Sequence, residues 1–117
     1  MTVLALISDL MTQSQVSAAG QRTGTAVRIL GTPEALLSAA RESAPRIVVI
    51  DLSHPGLDVA ELVGRVKKLF PAASIVAFGP HVHRQRLAAA EAAGCDRVLS
   101  RGSFLANSDE LLKSAAP

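Results

Sequence analysis

The sequence predicts a three-layer α/β sandwich, and three observations carry that expectation. Short unbroken apolar runs, of which Ile47-Val48-Val49-Ile50 is the purest, alternate along the chain with segments of helical period. Apolar residues make up 49% of the chain, yet there is no Trp or Tyr and only three Phe. The core must therefore be aliphatic, which suits helices packed closely on a parallel sheet. Finally, strand-then-helix repeats joined by right-handed crossovers give a parallel sheet covered on both faces.

Taken in order, Val3 to Ile7 reads as a buried strand, followed by a helix between Thr12 and Arg22, with Gly20 and Gly24 bracketing the next turn. Ala26 to Leu30 contains Arg28, which suits an edge strand better than a central one. Thr32-Pro33-Glu34 opens a helix: Thr caps, Pro fits the first helical position, and Glu favours the positive end of the dipole. Ile47 to Asp51 is the third strand. Asp58 with Glu61 starts a helix whose apolar stripe is Leu62, Val63, Val66, Leu69 and Phe70, and Pro71 ends it. Ile75 to Phe78 is the fourth strand, broken by Gly79-Pro80, a rigid turn because proline fixes its own backbone angle. Arg84 to Ala93 is an Ala-rich helix closed by Gly94 as a left-handed cap. Arg97-Val98-Leu99 is a short fifth strand, and Asn107 with Glu110 opens the last helix through Leu112.

Length and charge narrow the function. A chain of 117 residues is one domain, here 1–117, that buries roughly two-thirds of its unfolded surface. Net charge is +2 with scattered basic residues, which gives no electrostatic footprint for nucleic acid. The single Cys95 excludes an internal disulfide and a multi-cysteine metal site, and its place after Gly94 suits a small packing residue. No signal peptide and no apolar stretch of membrane-spanning length is visible, so no membrane partner and a cytoplasmic location are the defaults. No linker-like tail follows Ala116, which leans towards a whole small protein.

Asp51 is the most informative residue. It ends a buried apolar strand and precedes Leu52-Ser53-His54-Pro55-Gly56-Leu57-Asp58, a turn and a helix start. In open parallel sheets, ligands and chemistry collect at the carboxyl ends of the strands. Ser8-Asp9 closes the first strand at the same end.

These landmarks resemble the receiver domain of bacterial response regulators, the CheY-like phosphoacceptor half of two-component signalling, along essentially the whole chain. Ser8-Asp9 stands where the family has an acidic pair; Asp51 with Pro55-Gly56 and Asp58 matches the phosphoacceptor and its turn. Ala92-Ala93-Gly94-Cys95 resembles the segment before strand five, and Arg101 falls where the family keeps Lys. The resemblance implies a flavodoxin-like (βα)5 fold with sheet order 2-1-3-4-5. It also implies a Mg2+ site, and hard cations want oxygen ligands. Asp9, Asp51 and the Ser53 carbonyl are its candidate ligands, with Asp51 the candidate phosphoacceptor.

Against that pattern the switch is depleted. Ser8 replaces one carboxylate, which weakens any Mg2+ site. Gly79 takes the hydroxyl position, Val98 the aromatic position and Gly102 the usual Pro position. Arg101 replaces Lys with a longer planar group that does not copy a compact ammonium. The implied protein is an atypical, degenerate receiver: a stand-alone signalling module that contacts a histidine kinase or a downstream signalling protein, with phosphorylation of Asp51 weak or absent. In that case Asp51 is a partly buried residue paired with Arg101 or capping a loop, and Asp9 forms a remnant ion site or a salt bridge to Arg101.

Two alternatives stand beside it. In one, Asp51 is a working phosphoacceptor with a switch modified at Gly79 and Arg101. In the other, a small metal-binding protein uses His54, His81 and His83 with Asp9 and Asp51, since imidazole suits zinc, copper and nickel. A homodimer through the fourth helix, fifth strand and fifth helix would use the mixed charges Arg84, Arg86, Glu91, Arg97, Asp109 and Lys113. No nucleophile–base–orienter constellation for an external substrate is present in the sequence, so an enzyme is not expected.

Overall fold

The computed structural model describes residues 2–114. Along the chain run β1 (Thr2–Leu6), α1 (Leu10–Thr23), β2 (Ala26–Leu30), α2 (Pro33–Glu42), β3 (Pro45–Asp51), α3 (Val59–Leu69), β4 (Ser74–Gly79), α4 (Arg84–Ala93), β5 (Arg97–Ser100), α5 (Arg101–Ala106) and α6 (Ser108–Lys113). The strands form one parallel sheet in the order β2-β1-β3-β4-β5, as expected.

Successive strand residues point to opposite faces, and this alternation divides the core in two. Leu4, Leu6, Val48, Ile50, Ile75 and Ala77 pack beneath α2, α3 and α4. Val3, Ala5, Ile7, Ile47, Val49 and Phe78 pack on the other face with residues of α1, α5 and α6. The central strands are buried on both sides, which is why their sequences are apolar without a break. β2 is an edge strand, and its exposed Arg28 pairs with Glu42 at 3.1 Å.

Helix starts follow their caps. Asp9 Oδ2 accepts the Thr12 N–H at 2.9 Å, Thr32 Oγ1 accepts that of Ala35 at 3.1 Å, and Asp58 Oδ1 accepts that of Glu61 at 3.1 Å. The Asp9 cap sets the start of α1 at Leu10, two residues before Thr12, where the apolar pattern placed it. Gly20 belongs to the helix rather than to the following turn. A Cβ there would lie 2.9 Å from Val27 Cγ2 and 3.0 Å from the Thr25 carbonyl, so its bareness lets α1 approach β2 closely.

The last helical region departs from expectation. Ser100 Oγ accepts the Ser103 N–H at 3.2 Å and starts a helix directly at Arg101. Asn107 interrupts it, donating its side-chain amide to the Ser103 carbonyl at 2.8 Å, and α6 resumes at Ser108. Gly102-Ser103 reads as loop by propensity; the Ser100 cap and a buried contact override it. That contact is a parallel stack of Phe78 on Phe104, ring centroids 4.3 Å apart and planes within 5°, which ties α5 to β4.

Candidate functional site

The carboxyl ends of β1, β3 and β4 carry the residues singled out by sequence. Asp51 is the last residue of β3 and is fully buried. Its Oδ1 accepts the Ser53 N–H at 2.9 Å and its Oδ2 accepts the Ser8 hydroxyl at 3.4 Å. A carboxylate has room for about four donors. The Leu52 N–H continues the ladder to the Phe78 carbonyl at 2.8 Å, and the His54 N–H closes a turn on the Asp51 carbonyl at 3.1 Å.

Asp9 is differently placed. Its side chain is 41% exposed, and a single oxygen, Oδ2, takes both the Thr12 N–H and the Thr12 hydroxyl, the latter at 2.6 Å. Arg101 Nη1 stands 3.8 Å from the same oxygen. The Thr12 hydroxyl first, then its amide and more weakly the Arg101 charge hold this carboxyl below its ordinary value of 3.8. The pairing of Asp51 with Arg101 is therefore corrected: Asp51 caps the following loop through the Ser53 N–H and among the described residues forms no ion pair, while the guanidinium makes the expected bridge to Asp9. Among the described residues two buried polar atoms at this end, Arg101 Nε and Ser53 Oγ, have no hydrogen-bond partner.

Gly79 closes β4 beside Leu52. A Cβ at Gly79 would meet Leu52 Cβ at 3.3 Å and Leu87 Cδ2 at 3.9 Å, so the space a side chain needs is bounded by aliphatic groups. Val98, half-buried in β5, packs against the core under α2, α3 and α4.

The histidines do not converge, and the transition-metal reading falls. His54 turns towards the β2–α2 loop, with Nε2 2.7 Å from the Gly31 carbonyl and Nδ1 3.1 Å from the Pro55 carbonyl. His81 and His83 are exposed, and His83 precedes α4 without a side-chain capping bond. Among the described residues no three His, Cys, Asp or Glu side chains gather closely enough to hold a metal ion.

Three contributors were not foreseen. Ser8, counted from sequence as a lost carboxylate, is the side-chain partner of Asp51. Thr12 immobilises Asp9; the Asp-x-x-Thr spacing of an N-cap was a legible signal for it. Arg86 reaches from α4 to donate Nη1 to the Leu52 carbonyl at 3.2 Å, and nothing in its local pattern announces that. On the face considered for dimerisation, Asp109 is bound to Arg22 at 2.8 Å and Lys113 to Glu110 at 3.4 Å, so one of its two acids and one of its four cations are already matched within the chain. Cys95 lies between α4 and β5, where burial pushes its thiol up to about 11.

The fold has close counterparts among solved structures. NtrX from Brucella abortus superposes with a TM-score of 0.81 at 20% identity, covering 97% of this chain and 26% of that one. CheY4 of Vibrio cholerae gives 0.81 at 17% identity, with 98% of each chain covered. The beryllofluoride-activated NtrC4 receiver domain dimer gives 0.79 at 17% identity, again with 98% of each covered. The chain has the receiver-domain fold. It spans about a quarter of the NtrX chain and nearly the whole of the isolated receivers. By sequence it matches no protein-family model and no curated protein. Among the described residues no helix of this receiver fold is long and apolar enough to cross a membrane.

Proposed function

We propose that the chain is an atypical response-regulator receiver that signals through protein contacts, with phosphorylation of Asp51 weak or absent. The observation that supports this reading is the bare, narrow position at Gly79. On a receiver scaffold, a phosphoryl group on Asp51 has to be gripped from the β4 side, and there Gly79 offers no hydroxyl while Leu52 crowds the position. Attack by a carboxylate also needs neighbouring charge to be neutralised. Asp9, Asp51 and the Ser53 carbonyl are the groups that would hold Mg2+, and a bound cation would supply that neutralisation. The set is short, since Ser8 brings a hydroxyl and Asp9 Oδ2 is already taken by Thr12. Val98 has no ring to swing as a readout. A histidine kinase or a downstream signalling protein is the expected partner, and no chemistry on an external substrate is assigned.

A second reading, a working phosphoacceptor in which Arg101 replaces Lys, is favoured by one detail. Among the described residues the buried Arg101 Nε has no partner, and an oxyanion that reached it would satisfy it. Incubation with a small phosphodonor and Mg2+, followed by intact mass measurement, separates the two. The first reading expects little or no phosphate-sized gain. A stoichiometric gain that disappears in Asp51→Asn establishes the second.

A further inference from the structure

A groove of about 380 Å³ opens between the loop after Asp51 and the first turns of α4. Leu52, Leu57, Val59 and Ala89 give it an apolar lining, and Gln85 and Arg86 are its polar wall. His54 stands at its edge with both ring nitrogens already at carbonyl oxygens. A second depression of about 390 Å³ continues past the same helix turn, sharing Gln85 and Arg86 and adding Val82, His83 and Arg84. Val82 is 68% exposed.

The charge along this surface has one sign. Among the described residues no Asp or Glu lines either depression, and neither Arg84 nor Arg86 forms an ion pair. Both stand in the first turn of α4, where the helix dipole disfavours cations. Unmatched positive charge beside an aliphatic trough is complementary to a ligand that is both acidic and aliphatic.

We propose that this groove is the docking surface for a partner's acidic peptide segment, with an aliphatic side chain seated over Leu52, Leu57 and Ala89 and a carboxylate on Arg86. The proposal deepens the reading of the chain as a protein-contact signalling module and rests on it. It also gives that contact a route to the site. Arg86 holds the carbonyl of Leu52, the residue next to Asp51, so a carboxylate that draws the guanidinium away loosens the loop that carries the acidic end of β3.

The test is an NMR titration of the isotope-labelled full chain with a synthetic hexapeptide, two leucines flanked on each side by two aspartates. The same peptide with lysines for aspartates, and inorganic phosphate alone, serve as the other arms. Expected are shifts concentrated at the amides of Leu52, Leu57, Val59, Gln85, Arg86 and Ala89. Affinity should fall about tenfold in Arg86→Glu, the ratio that about 1.4 kcal/mol of a lost charge contact gives, and similarly in Ala89→Glu. Both positions are exposed, so unchanged sheet amides verify that each variant folds. Unmoved groove amides, equal binding of the lysine peptide or of phosphate, or full affinity in both variants overturns the proposal. No phosphodonor is present, so a mass gain at Asp51 in the separate experiment sinks the weak-phosphorylation reading without altering this result.

Discussion

The two halves of the strand ends differ. The β1–β3 half keeps its acids: Asp51 buried on two hydrogen bonds, Asp9 locked by Thr12. The β4–β5 half has Gly79 against Leu52, a half-buried Val98 and a Phe78–Phe104 stack, and on the proposed reading it lacks the hydroxyl and the ring that would grip and report a phosphoryl group. Both halves nevertheless sit on one five-stranded parallel sheet. The parts that make a receiver fold are the buried apolar strands and the helix caps. On the reading proposed above, the parts that would relay a charge are a separate set, and one can erode while the other persists.

The comparison breaks most forcefully at the aromatic stack. Phe104→Ala removes a ring that is 2% exposed and should cost about 3–5 kcal/mol, read as a lowered midpoint in denaturant. A loss well below that would mean that α5 is not anchored to β4 through Phe104. Next comes repair of the depleted half. Gly79→Ser with Arg101→Lys should destabilise by about 1–3 kcal/mol, because the new Cβ presses on Leu52. It should also raise phosphate incorporation at Asp51 above the parent chain; no rise would place the defect on the Ser8 and Asp9 side instead.

The smallest effect concerns acid. Asp9 is held below 3.8 by Thr12, and Asp109 is held below the same value by Arg22. A folded-state pKa depressed below the unfolded one contributes stability that is complete above the unfolded value. That contribution is lost as pH falls through the folded one. Stability should therefore decline below about pH 4, and less steeply in Thr12→Val, whose Asp9 has lost its hydroxyl donor. Both carboxylates are exposed, so the difference is small and best read by following the Asp9 carboxyl directly in an NMR titration.

Much of this was legible because the apolar runs are uninterrupted and the caps are local. Asp58 with Glu61, Thr32 with Pro33, and the glycines at 24 and 94 each act within one turn, so spacing alone reveals them. Asp51 and Asp9 were visible for the same reason, as acids at the ends of apolar strands. What stayed hidden depends on contacts far apart in sequence. Ser8 meets Asp51 across the sheet, and Arg86 spans from α4 to Leu52. The histidines misled because proximity of loops says nothing about where a ring turns, and a 2.7 Å contact with the Gly31 carbonyl draws His54 away.

The decisive property of this chain is whether charge placed at Asp51 is felt across the sheet. Amide spectra of the full chain with Mg2+ and beryllofluoride, a phosphoryl mimic, read this directly. Any perturbation should stay within the β1–α1 and β3–α3 loops and leave Val98, Leu99 and the outer turns of α4 unmoved. Concerted shifts through β5 and α4 would contradict it, because the β4–β5 half would then be relaying after all.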